Sequence, residues 1–285
     1  MTTVAERTSS PQGVPASQSP TDGDIGAPRG GWAKRFFGAI LAPAAIIVLF
    51  LAIWQILPPA LGVESYILPT PLEIADRIVQ DWSLLWPNML VTLNEILLGF
   101  LLAFVVAMIL GVAVAHSRVI NRAIYPLLVA SQTVPVIAIA PIFIIWFGYG
   151  ILPKVVITAL VCFFPLTVNA VAGYASVDPD AKMLFKAHGA GRIRTFRLLS
   201  LPSALPSIFA GIKISVTLAV IGATIGEWVG SQEGLGYVIL QASAQIITAR
   251  VFAAIVLLSV MGIALFLIAT LVERLVMPWR AATRR

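Results

Sequence analysis

Six long apolar runs, separated by short polar stretches, frame this chain: Phe37–Leu57, Leu90–Ala115, Ala123–Phe147, Val155–Tyr174, Ser207–Val229 and Phe252–Met277. A hydrocarbon core about 30 Å thick is crossed by roughly 20 helical residues, so each run predicts a transmembrane helix. The pattern predicts an all-α, polytopic membrane protein with six transmembrane helices. Between the first two runs, Pro58–Met89 opens on Pro58-Pro59 and carries Pro69 and Pro71. Leu72, Ile74, Ala75, Ile78 and Val79 then fall on one helical face, which predicts a short amphipathic helix shielding the outer end of the bundle.

Residues 1–31 are rich in Ser, Thr, Pro, Gly and Asp and hold almost no large apolar groups. Such a segment cannot offset its ordering entropy by burial, which predicts a disordered cytoplasmic tail before a transmembrane domain over 32–285. No short apolar run with a small-residue cleavage site opens the chain, so no signal peptide is expected.

Composition agrees with the pattern: 59% of the residues are hydrophobic and 11% charged. The net charge of +6 records topology and anionic lipid contact rather than nucleic acid, because of where it falls. With the N-terminus inside, 15 of the 19 Lys and Arg residues lie on the cytoplasmic side. Arg77, Lys154 and Arg250 fall outside and Lys213 within the fifth run, from where it can snorkel to the cytoplasmic face. The positive-inside rule places both termini in the cytoplasm.

Chemistry-bearing residues are few. The one cysteine, Cys162, excludes an internal disulfide and reads as a small buried residue, and His116 and His188 lack metal-ligand spacing. Pro126, Pro135 and Pro141 in the third run and Pro165 in the fourth bend helices, either for packing or to shape a translocation surface. Gln132, Thr133, Pro135, Asn169 and Glu227 are the candidate pathway residues. Glu95 and Glu227 fall near the outer ends of their spans, where water is expected to reach them. No G-x-x-x-x-G-K-[ST] phosphate loop occurs, so ATP is not expected to bind this chain.

The distinctive stretch is Asp178–Gly211, with Lys182, Lys186, Arg192, Arg194 and Arg197, a Gly189-Ala190-Gly191 turn, and Pro202 and Pro206. It resembles the cytoplasmic coupling loop, about residues 175–206 here, of the permease subunits of bacterial ABC importers. Gly189, Arg192, Phe196 and Leu201-Pro202 carry that resemblance, while Met183-Leu184-Phe185 stand where the family has Glu-Ala-Ala. Over about Phe37–Trp279, Thr133-Val134-Pro135, Trp146-Phe147-Gly148, Gly226-Glu227-Trp228 and Gly234-Leu235-Gly236-Tyr237 are similar to the nitrate, sulfonate and taurine branch. The run from Leu218 to Ala223 followed by Gly226-Glu227 is similar to its thiamine-pyrimidine-precursor and riboflavin members.

The resemblance implies a transport subunit rather than an enzyme, working as a permease homodimer with ABC ATPase subunits that hold ATP and Mg, and with an extracytoplasmic solute-binding protein. It implies a coupling helix over about Ala181–His188, stopped at Gly189, with Met183, Leu184 and Phe185 as knobs. Lys186, Ala190, Arg192, Phe196, Leu201 and Pro202 complete the ATPase-coupling set, and Pro202 and Pro206 redirect the chain into the fifth span. A stand-alone secondary transporter is the alternative, which requires inverted repeats and midplane ion ligands. Neither is legible, and the implied substrate is a small organic anion or heterocycle.

Overall fold

The computed structural model describes residues 32–116, 122, 123, 126, 130 and 133–279. The expected tail over 1–31 and Gln132 lie outside the described residues. The chain divides into two compact units, Met1–Phe50 and Leu51–Arg285. The described part of the first unit is the N-terminal portion of α1, Trp32–Ala60.

In the second unit, α2 (Pro71–Gln80) leads into α3 (Trp82–His116), followed by α4 (Val136–Phe147) and α5 (Ile151–Ala175). A short α6 (Pro179–Ala187) and α7 (Arg192–Thr195) precede a π-helical turn, Phe196–Ser200, and α8 (Leu201–Gly230), α9 (Leu235–Ala244) and α10 (Thr248–Val276) complete the order. Among the described residues, five helical stretches are long and apolar enough to cross a membrane, in α1, α3, α5, the α7–α8 stretch and α10. Of the third expected span, Ala123–Phe147, the continuous described helix is α4. Its 12 residues rise about 18 Å, short of a bilayer core. Pro135, which cannot donate to a ladder, stands at its N-cap.

α5 packs along both α3 and α8, and small residues bring the backbones together. A Cβ on Gly99 would meet Thr158 Cβ at 2.5 Å, and one on Gly222 would meet Thr158 Cα at 2.9 Å, so Thr158 is held between α3 and α8. Cys162 is fully buried beside it and donates its thiol to Ser215 O at 3.2 Å, while Ser215 Oγ donates to Cys162 O at 3.1 Å. This reciprocal pair ties α5 to α8 and accounts for the cysteine as packing.

At one end of the bundle, α2 is a capped amphipathic helix. Thr70 and Glu73 form a capping box, and Pro71 occupies the first turn. The Thr70 backbone N–H and the Ser65 hydroxyl, each 2.8 Å away, hold the Glu73 carboxyl below the usual carboxylate range. The apolar face differs from the expected one: Ile74 is buried and Ile78 half-buried, whereas Leu72, Ala75 and Val79 are exposed. The helix is fixed instead by charge, because Arg250 of α10 clamps Asp81 through Nε (2.6 Å) and Nη2 (3.0 Å). At the opposite end lie α6, α7 and the π-helical turn, since α3, α5, α8 and α10 each run the length of the bundle.

Lys213 is half-buried, and its ammonium pairs with Glu273 in the last turn of α10 at 2.6 Å. One further expectation is corrected here. Pro202 and Pro206 do not redirect the chain before the fifth span, since both lie inside α8. Pro202 sits in the first turn, where a missing N–H is tolerated. The π-helical turn before it closes with Leu201 N–H donating to Phe196 O.

Candidate functional site

The coupling segment is built from local rules. Asp178 caps α6 by accepting the Asp180 N–H at 2.8 Å, with Pro179 in the first turn. The helix ends in a Schellman motif: Gly189 N–H donates to Lys186 O and Ala190 N–H to Phe185 O, both at 3.0 Å. Gly189 itself has φ +72°, the left-handed conformation that this motif requires and that glycine adopts without a Cβ penalty. The helix bounds match the expected Ala181–His188 within two residues at its start and one at its end.

Met183 and Leu184 are 63% and 58% exposed, so two apolar knobs stand off the bundle end. Phe185 departs from the expected trio and is half-buried, because successive helical residues are rotated by 100°. Lys186, Arg192 and Arg197 are exposed, whereas Ala190 is half-buried. Behind the knobs, the Phe196 ring lies 5.8 Å from that of Tyr174, which is almost fully buried. Phe196 and Leu201 pack on a small core of Ala170, Tyr174, Ala204 and Ile208. The segment is therefore exposed at its tip and anchored at its root, with Pro202 half-buried at the junction.

Among the described residues, the candidate pathway residues are spread over the start of α4, α5 and α8. Thr133 is exposed, with its hydroxyl donating to Ala130 O at 2.7 Å, and Pro135 caps α4. Asn169 is half-buried and donates to Pro165 O at 2.8 Å, one turn back in α5. It fills the space beside Gly211, whose added Cβ would lie 2.8 Å from Asn169 Cβ.

Glu227 and Glu95 depart furthest from expectation. Both are fully buried rather than reached by water. Glu227 Oε1 accepts the Thr92 hydroxyl at 2.5 Å, and Oε2 accepts the Gly236 N–H. Leu235 N–H donates to Thr92 Oγ1 at 2.8 Å and Gly234 N–H to Asn88 Oδ1 at 2.6 Å. The first N–H groups of α9, which no intrahelical carbonyl serves, are thus satisfied by side chains of α3 and α8. Gly234 (φ +104°) and Gly236 let the helix end approach, since an added Cβ on Gly236 would lie 2.7 Å from Glu227 Oε2. Glu95 pairs with Lys154 at 2.5 Å, and Lys154 is itself buried in the first turn of α5.

Asn88, Thr92, Lys154 and helix α9 were not legible as parts of this network. One available signal was the cluster of Asn88, Thr92, Asn94 and Glu95 at the head of an otherwise apolar run.

Comparison with known proteins accords with this architecture. The family model described as the binding-protein-dependent transport system inner membrane component matches residues 86–278. The formylaminopyrimidine transport permease protein ThiX of Halalkalibacterium halodurans is 42% identical over 87% of this chain and 98% of its own. The riboflavin transport system permease protein RibX of Chloroflexus aurantiacus is 37% identical over 87% and 94%. The putative aliphatic sulfonates transport permease protein SsuC of Bacillus subtilis is 33% identical over 90% of each chain. Among solved structures, an inward-facing conformation of the MetNI methionine ABC transporter superposes with a TM-score of 0.53 at 20% identity, covering 67% of this chain and 97% of that one. That likeness bears on the fold, and together with the family match it leads to one conclusion: the chain belongs to the binding-protein-dependent transport system inner membrane components, the multi-pass permease subunits of ABC importers.

Proposed function

We propose that this permease couples to its ATPase through α6, imports an amino-substituted nitrogen heterocycle, and works as a homodimer served by an extracytoplasmic binding protein. The observation that carries the coupling role is the pair of exposed knobs, Met183 and Leu184, on a helix ended by Gly189 and rooted by Phe196 against Tyr174. An apolar helix face of this size fits a groove on a partner. The rigid root transmits displacement of the knob into α5 and α8, the two most closely packed helices of the bundle.

Lys182, Lys186, Arg192, Arg194 and Arg197 supply positive charge around the knobs. They serve both as cytoplasmic anchors and as partners for acids on the ATPase. With α6 in the cytoplasm, both termini fall there too, and α2 with the α8–α9 junction lies on the outer side. ATP and Mg belong to the partner subunit. Closure of the ATPase pair pushes on α6 and opens the pathway outward, and hydrolysis returns it inward.

The heterocycle assignment rests on relatives: those named for a pyrimidine or a flavin are more similar to this chain than those named for sulfonates or taurine. The test is purification of the tagged chain in mild detergent with identification of what accompanies it, followed by uptake assays on the reconstituted complex. An ATPase subunit and uptake of a formylaminopyrimidine are expected. Isolation without an ATPase from transport-active membranes overturns the coupling role, and uptake of taurine in place of the heterocycle overturns the substrate.

A further inference from the structure

A cleft of about 490 Å³ opens at the end of the bundle opposite α6, walled by α3, the α4–α5 turn, the head of α5 and the α8–α9 turn. This volume is in the range of small-molecule sites. At its floor lies the Glu95–Lys154 pair, and its walls carry Asn94, Tyr149, Ser231 and Gln232. No role described above uses this cleft.

Its chemistry is selective. Glu95 and Lys154 are joined at 2.5 Å and both buried, so their charges cancel at close range. Burying such a pair costs desolvation and gives little net stability, so the fold alone does not explain it. Glu95 Oε2 is buried with no N–H group on it among the described residues, and the Glu227 carboxyl lies within hydrogen-bonding reach of it. A carboxylate oxygen has two lone pairs, so one that is already desolvated is left for an incoming N–H. At the rim, Glu233 is exposed and adds a negative charge, while Lys154, the cation among the lining residues, is already neutralised by Glu95. The remaining polar groups are amides and hydroxyls, which pair with neutral donors and acceptors.

We propose that this cleft is the permease's own substrate-receiving subsite, selecting an uncharged amino-substituted heterocycle and excluding sulfonate and nitrate anions. Glu95 accepts the amino N–H, Asn94 and Gln232 engage the ring nitrogens, and Glu233 repels anions. The inference rests on the heterocycle reading above and adds a location and a charge rule to it.

The test exploits the single cysteine of the chain, which is buried. Gln232→Cys and, on the facing wall, Asn94→Cys are made in the permease–ATPase complex without binding protein, and maleimide labelling is followed on the permease band. Millimolar formylaminopyrimidine is expected to slow labelling at both positions, and taurine is expected to leave it unchanged. Adding Glu95→Gln to either cysteine variant should weaken protection about tenfold, the loss of one hydrogen bond to a charged group. In case that substitution disturbs folding, Asn94→Leu, which leaves the ion pair intact, should also abolish protection of Gln232→Cys. Glu233→Lys should admit protection by taurine.

Uptake by the complete importer is measured in parallel. If the heterocycle is taken up yet protects neither cysteine, the subsite is refuted while the substrate reading stands. If the heterocycle is not taken up, the substrate reading fails, and protection by taurine in the unmodified cleft overturns the charge rule.

Discussion

Gly236→Ala separates two opposed effects at the head of α9. In an isolated helix, alanine is favoured over glycine by about 1 kcal/mol. Here the added methyl would lie 2.7 Å from Glu227 Oε2, 3.0 Å from Thr224 O and 3.1 Å from Glu227 Cβ. The Thr224 carbonyl is backbone of α8 and cannot swing aside, so the first turn of α9 has to retreat. Overpacking of this kind costs about 1–3 kcal/mol, and stretching the Gly236 N–H bond to the carboxyl adds about 1–3 kcal/mol. After the propensity gain, the net loss is about 1–5 kcal/mol. For a chain of this size, that lowers Tm by roughly 2–4 °C per kcal/mol. The assay is thermal unfolding in detergent micelles, with Gly191→Ala as control, since its Cβ meets nothing within 4 Å and its φ is ordinary. A Tm for Gly236→Ala equal to or above that of the parent would mean that propensity prevails, and would refute the packed, side-chain-capped helix end.

Gly189→Val should reduce uptake to background while the protein still inserts and is recovered at normal yield. Strain at φ +72° amounts to at least about 1–2 kcal/mol and rearranges the end of α6, so normal uptake would remove Gly189 from the coupling machinery. Asp81→Asn should loosen α2 by about 1 kcal/mol, because the clamp to Arg250 is partly solvated; faster hydrogen exchange confined to α2 checks it. The Glu73 carboxyl, held below its ordinary range in the fold, contributes stability fully above its unfolded pKa of about 4.3. That contribution is lost as pH falls through the folded value. Exchange protection of α2 should therefore drop below about pH 4 and remain flat from pH 6 to 8, and an unchanged Glu73→Gln profile would sink the assignment.

Much of the fold was legible because a membrane imposes a single coarse requirement. Backbone polar groups in hydrocarbon are satisfied within helices, so long apolar runs translate directly into α1, α3, α5, α8 and α10. The bounds of α6 were also legible, since Asp178, Pro179 and Gly189 act on their own neighbours in sequence. The likeness of the coupling loop to a known family was readable for the same local reason. Helix α9 was not legible because its ten residues, mostly apolar, carry no periodic signature that separates them from a buried loop.

The sequence by itself thus determined the class, the number and placement of most apolar helices, and the bounds of α6, all consequences of short-range backbone and solvation rules. Tertiary structure alone decided what the buried charges do. Glu227 lies 135 residues from Thr92, Glu95 59 from Lys154, and Lys213 60 from Glu273. A carboxyl at the end of an apolar run looks alike whether it faces water, caps a helix or neutralises a lysine. Its role is set by which donor the packing of distant helices brings within hydrogen-bonding reach.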